Sequence, residues 1–137
     1  MRKIKIVLCI SFLIISILTG CGKQEPINAL ASIETSDIDK VEHTGTTGGQ
    51  NGGYSYSLSE SESSGFIDLL NQVELGNAVD ERDALSNGAV SYYTLYYTDG
   101  ETLMISPGQY FKIGDTHYEF MNYEELWDEF IVFNSLH

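Results

Sequence analysis

Apolar positions recur along this chain with two periods, and the switch between them marks out the elements. Residues 54–58 (YSYSL) alternate apolar with small polar residues, which predicts a half-buried strand. Before it, Ile33, Ile38 and Val41 stand among acids and predict a first strand over 38–43. Ser59 precedes Glu62 by three residues, the spacing at which each side chain satisfies an orphan amide at a helix start. The helix predicted over 60–71 turns Phe66, Ile67, Leu69 and Leu70 toward a core, and its acidic first turn suits the helix dipole. Over 72–88 the pattern blurs, with Val73, Leu75, Val79 and Leu85 scattered among acids, and the reading there is a solvated connector.

The period returns to two from residue 89. The run SYYTLYYT over 91–98 favours a pleated surface, Asp99-Gly100 is a strong hairpin signal, and ETLMIS over 101–106 runs back. Pro107-Gly108 turns the chain again, and YFKI over 110–113 pairs with THYEF over 116–120 across Gly114-Asp115. Asn122 is then placed to cap a closing helix, with Glu125 at the reciprocal position. In that helix Tyr123, Leu126, Trp127, Phe130 and Ile131 fall on one stripe, and Trp127 reads as its anchor in the core. Strands joined by such short connections pair antiparallel, because a parallel crossover takes a dozen residues or more. The order predicts an α+β fold: an antiparallel sheet of about five strands with two helices packed on one face, in a single domain over 30–137.

The first twenty residues follow a different rule. Arg2, Lys3 and Lys5 lead into an uncharged, mostly apolar run over 6–18, which is shorter than the roughly 20 apolar residues of a spanning helix. That layout predicts a secretory signal peptide over 1–20. The residues that close it, Leu18-Thr19-Gly20-Cys21, resemble the bacterial lipobox. The resemblance implies cleavage before Cys21 and a thioether-linked diacylglycerol on its sulfur, and two acyl chains of the palmitate kind hold a protein on a bilayer where one would not. The polar, Pro26-containing stretch over 21–29 then reads as a tether. The expected location is the extracytoplasmic side of the cell membrane. Over 30–137 the segments YYTLYYTDGETLMIS and PGQYFKIGDTHYEF with a closing aromatic helix resemble small lipoprotein domains of Gram-positive bacteria. That likeness is one of pattern; it implies location and fold class and brings no activity or site residues.

Charge narrows the partners. Removing residues 1–20 takes three of the seven basic residues and none of the twenty acidic ones, so the net charge falls from -13 to -16. A body this acidic is repelled by nucleic acid and by anionic headgroups, so no nucleic-acid partner is expected and the domain stands off the membrane on its tether. Catalytic chemistry finds no foothold: there is no nucleophile elbow, and Cys21, the one Cys beyond the signal segment, is committed to lipid. His43, His117 and His137 lack zinc spacing, although His43 and His117 could meet in space, and the acids over 80–83 lack the layout of a calcium loop. The glycine-rich stretch over 44–53 (TGTTGGQNGG) reads as a loose connection with no following helix or Lys to cradle a phosphate. Neither an enzyme, a cofactor nor a metal site is expected.

The candidate binding residues are tyrosines. Tyr92, Tyr93, Tyr96 and Tyr97 lie on one strand, so Tyr92 and Tyr96 face one side of the sheet while Tyr93 and Tyr97 face the other. Two helices can cover one face, which leaves one pair exposed, with Tyr110 or Tyr118 as possible neighbours from adjoining strands. Tyrosine is enriched in interfaces because it couples a large rigid area to a polar tip. The sequence therefore predicts a non-catalytic, membrane-anchored binding module for an extracytoplasmic protein or peptide, using a sheet face or the glycine-rich stretch. A sensor of a small ligand or cation and an inhibitor or immunity-like protein are the alternatives. Mass spectrometry of the protein recovered from cells is expected to find Cys21 as the first residue and carrying lipid. An unmodified thiol there, or an intact residue 1, would overturn the predicted location.

Overall fold

The computed structural model describes residues 30–46, 52–84 and 90–136. The signal segment, Cys21 and the tether over 21–29 lie outside the described residues, as does His137. A short 3-10 turn, Thr35–Asp37, leads into β1 (Ile38–Thr46), which is followed by β2 (Gly53–Ser57), α1 (Glu60–Leu70), β3 (Leu75–Val79) and a single turn, α2 (Glu81–Ala84). The chain continues through β4 (Val90–Tyr97), β5 (Thr102–Ser106), β6 (Tyr110–Ile113) and β7 (Thr116–Phe120) to α3 (Tyr123–Asn134). The architecture is α+β with an antiparallel sheet.

The sheet has seven strands rather than about five, in the order β2-β1-β4-β5-β6-β7-β3. The strand that the pattern does not announce is β3, which falls in the expected connector. Leu75 is its one buried residue, and a bulge between Leu75 and Ala78 breaks the alternation on which sequence reading depends. The expected loop over 44–53 is correspondingly shorter, since β1 runs to Thr46 and β2 starts at Gly53. Asp99-Gly100 and Gly114-Asp115 do turn the two hairpins, and Gly100 and Gly114 take the positive φ values, 92° and 57°, that side chains resist.

The two long helices begin differently from each other. Ser59 and Glu62 form the reciprocal capping box expected of α1. Asn122 precedes α3 without capping it through its side chain. Its Oδ1 instead accepts from the Glu74 amide at 2.9 Å and its Nδ2 donates to the Gln72 carbonyl at 2.8 Å. Asn122 thus ties the start of α3 to the entry of β3, a role that depends on residues some fifty positions away. On α3 itself, Leu126 and Phe130 are buried, Trp127 is half-buried and stacks on Tyr123, and Ile131 is 44% exposed. The core anchor of that helix is Phe130, in edge contact with Phe66, Phe111 and Phe120.

Both helices contribute to a core built on one sheet face, with Val41, Tyr93, Leu95, Ile105, Phe111 and Phe120 from the strands meeting Phe66, Ile67, Leu70, Leu126 and Phe130. One polar side chain is buried among them. His43 on β1 has no solvent exposure, and its ring lies flat on Tyr93 of β4 at 4.2 Å and 6° between planes. Tyr93 stacks in turn on Phe66 of α1, also at 4.2 Å. The imidazole is satisfied at both nitrogens by β2: Tyr56 Oη lies 2.5 Å from Nδ1 and Tyr54 Oη 3.3 Å from Nε2. Tyr54 also bonds Ser91 Oγ at 3.0 Å. Gly45 makes this possible, because a Cβ there would collide with the Val90 carbonyl and with the Tyr54 ring that lies across the strand.

Tyr93 completes the network by donating to Asn134 Oδ1 at the end of α3, 2.7 Å away. Burial, with the Tyr56 and Tyr54 hydroxyls adding to it, holds its phenol far above the ordinary tyrosine range, so Tyr93 is a donor at every working pH. Removing the Tyr93 hydroxyl alone (Tyr93→Phe) is expected to cost about 1 kcal/mol in urea unfolding, and removing the ring (Tyr93→Ala) about 3 to 5 kcal/mol. Equal costs for the two variants would contradict the stacked arrangement.

Candidate functional site

The inward set on β4 is Tyr93, Leu95 and Tyr97, and alternation sends Tyr92, Thr94 and Tyr96 to the opposite face. Of the four tyrosines on that strand, Tyr93 is fully buried, while Tyr97 is half-buried and packs against the core from the inward side. Tyr118 likewise packs inward, whereas Tyr110 lines the open face beside Tyr92. His43 and His117 do not meet: His43 points into the core, while His117 sits between the inward-facing Tyr118 and the Thr116 at the hairpin, on the open side.

Strand register organises the open face into rows. One row crosses the whole sheet: Ser55 pairs with Thr44, Thr44 with Tyr92, and Tyr92 lies one step beyond the Tyr93–Ile105 pair and so beside Ser106. Ser106 pairs with Lys112, Lys112 with His117, and His117 with Val79. Tyr92 stands between two hollows on this row. Toward β2 a broad shallow depression is lined by Thr44, Gly45, Gly53 and Ser55; toward β7 a cleft of about 250 Å³ is lined by Ser106, Gln109, Tyr110, Lys112 and His117. Glu81 and Asp83 of α2 close the rim of the cleft.

A second row carries the other tyrosine. Tyr96 donates to Glu42 Oε2 at 3.1 Å, and Ser55 donates to Glu42 Oε1 at 3.0 Å. Lys40 Nζ lies 3.6 Å from the same carboxylate and 4.4 Å from the Tyr96 ring centroid. The Ser55 hydroxyl first, then that of Tyr96, holds the Glu42 carboxyl below the usual glutamate range against the opposing effect of desolvation, with Lys40 adding less than either hydroxyl. Tyr96 is therefore fixed in orientation, with its polar tip committed within the chain and its ring edge left for contact. Met104, at 40% exposure on the neighbouring strand, adds an apolar patch beside Thr94.

The face has an electrostatic character that the net charge conceals. The described residues hold three basic side chains, Lys40, Arg82 and Lys112. Two stand on the open face and the third on α2 at its rim. Two of the three positive charges thus stand on the face away from the long helices, in a body otherwise dominated by carboxylates. Among the described residues no group of three or more His, Cys, Asp or Glu side chains is placed to share a metal ion, and no helix is long and apolar enough to cross a membrane.

Sequence reasoning placed Tyr92 and Tyr96 together but missed Lys112, His117, Ser106 and Gln109 as their neighbours. The signal was present in the parity of each strand: Lys112 alternates with Phe111 and Ile113, and His117 with Tyr118. No protein family, characterised protein or solved structure matches the chain.

In NMR titration of the side-chain carboxyls, Glu42 is expected to titrate below the exposed glutamates, and Ser55→Ala and Tyr96→Phe each to move it back up. The sign follows from linkage. A carboxyl depressed in the folded state adds stability above its unfolded pKa and loses it as pH falls through the folded value, so both variants flatten the acid limb of stability against pH. A Glu42 that titrates with the exposed glutamates in the unaltered chain would contradict the hydrogen-bonded row.

Proposed function

We propose that this chain is a lipoprotein held on the extracytoplasmic side of the cell membrane through Cys21, and that its domain is a non-catalytic binding module. The partner surface is the open sheet face centred on Tyr92 and Tyr96. The observation that carries this reading is the asymmetry of the sheet: both long helices pack on one side, while the other presents tyrosine rings, Met104, Lys40 and Lys112. Aromatic rings held on a rigid sheet, one of them, Tyr96, with its hydroxyl already bonded, lose little entropy when they meet a partner. The resemblance of Leu18-Thr19-Gly20-Cys21 to a lipobox supports the location, and a protein or short peptide of the extracytoplasmic space is the class of partner.

The test compares two double variants in partner capture from membranes of the source cell. Tyr92→Ala with Tyr96→Ala is expected to abolish capture while costing about 1 to 3 kcal/mol and keeping a cooperative melting transition, since both rings are half-buried and Tyr96 bonds Glu42. Tyr93→Ala with Tyr97→Ala is expected to lose capture only through unfolding, visible as a collapsed melting transition. Capture that survives the Tyr92 and Tyr96 substitutions would remove the open face from the reading.

A further inference from the structure

The cleft between Tyr92 and His117 brings together a lysine free of ion pairs among the described residues and a histidine with one nitrogen shut off from solvent. Among the described residues, Lys40 is paired with Glu42 and Arg82 with Asp80, whereas Lys112 has no carboxylate within ion-pair distance. Its cross-strand neighbour is His117, whose Nδ1 is shut off from solvent without a hydrogen-bond partner among the described residues. An under-satisfied acceptor is tolerated in a buried position more readily than an orphaned N–H, so the ring proton belongs on Nε2. Nε2 is the nitrogen left to solvent where the ring lines the cleft. Lys112 and His117 are a direct cross-strand pair, whose Cβ atoms stand roughly 5 Å apart, so both donors can reach one small acceptor group.

The opposite rim has the opposite sign. Glu81 and Asp83 line the cleft from α2, while Arg82 between them turns away onto Asp80, 3.1 Å from its Nε. The cleft is therefore lined by Lys112 and His117 from the sheet and by the acidic residues Glu81 and Asp83 from the rim, with Tyr92 and Tyr110 beside them. A simple anion would be repelled at long range by so acidic a body, and a simple cation would have no use for Lys112. A neutral zwitterion avoids both objections. At about 250 Å³ the cleft is smaller than the roughly 300–1,000 Å³ of pockets that take drug-sized ligands.

We propose that this cleft binds the α-ammonium and α-carboxylate of a free amino acid or dipeptide, the carboxylate on Lys112 and His117 and the ammonium on Glu81 and Asp83. The inference rests on the open face being the binding surface and names the chemistry of its ligand. The two sources of that chemistry, a single amino acid and a short peptide, differ in the reach between their charged ends.

The full chain in detergent is titrated with L-alanine, L-alanyl-L-alanine, the N-acetylated and C-amidated dipeptides, and acetate, followed by amide NMR shifts. Either alanine or the dipeptide is expected to shift the Tyr92, Lys112 and His117 amides, and blocking either terminus of the dipeptide or substituting acetate to weaken binding at least ten-fold. Tighter binding of alanine identifies the amino acid as the ligand, and tighter binding of the dipeptide identifies the peptide. Lys112→Met is expected to weaken binding at least ten-fold at an unchanged melting temperature, with Lys112→Gln as the replacement if the Met variant melts early. The proposal is overturned if neither zwitterion shifts these amides at roughly 10 mM, where even a millimolar site is about nine-tenths filled. It is also overturned if binding survives the loss of Lys112 undiminished. Failure here with partner capture still dependent on Tyr92 and Tyr96 would sink the zwitterion site and leave the binding-module reading standing.

Discussion

A fully buried side chain such as the His43 imidazole must find partners for its polar atoms, and that requirement links much of this fold. His43 meets it with Tyr56 and Tyr54 from β2, and it lies face to face with Tyr93 from β4, which rests on Phe66 and bonds Asn134. One side chain thus sets the relation of β2, β1 and β4 to each other and, through Tyr93, to both long helices. An unsatisfied buried polar atom costs about 1 to 3 kcal/mol, so a shift in any of these pairings is penalised at several places together. The consequence reaches the other side of the sheet. Because side chains alternate, a slip of one residue in β4 would bring Tyr92 and Tyr96 inward and expel Tyr93 and Leu95. The open face has the composition it does because the core demands Tyr93 where it is.

Much of this was legible in the sequence where the information is local. The capping box at Ser59 and Glu62 and the glycines at positions 100 and 114 act through neighbours a few residues away, and the sequence shows them directly. What escaped depends on distant pairing. β3 has one buried residue and a bulge, so its identity as a strand comes from β7, about forty residues downstream. Asn122 has the composition of a cap and is used as a bridge to Gln72 and Glu74. Trp127 has the size of a core anchor, yet Phe130 one turn later takes that place.

The candidate face was half readable for a related reason. Period two separates Tyr92 and Tyr96 from Tyr93 and Tyr97 without structural help, and aromatic residues on both sides hide which set is inward. The residues between them do discriminate: Leu95 travels with Tyr93 and Tyr97, while Thr94 travels with Tyr92 and Tyr96. That the cleft assembles Lys112, His117 and the α2 carboxylates requires the strand order, because these residues come from three separate segments of the chain.

The sheet remains open, and its two borders are not equivalent. β3 is interrupted by its bulge, with the Asn77 amide already donating to Glu119, which makes it a poor template for another strand. β2, GYSYS, has neither a charged residue nor a proline along its length, and nothing in the described strand order lies beyond it. Intermolecular β-pairing would therefore begin at β2, and the surplus negative charge of the body is the force that keeps two such edges apart in solution. High salt, by screening that repulsion, selectively removes the protection at the border where the backbone offers least of its own.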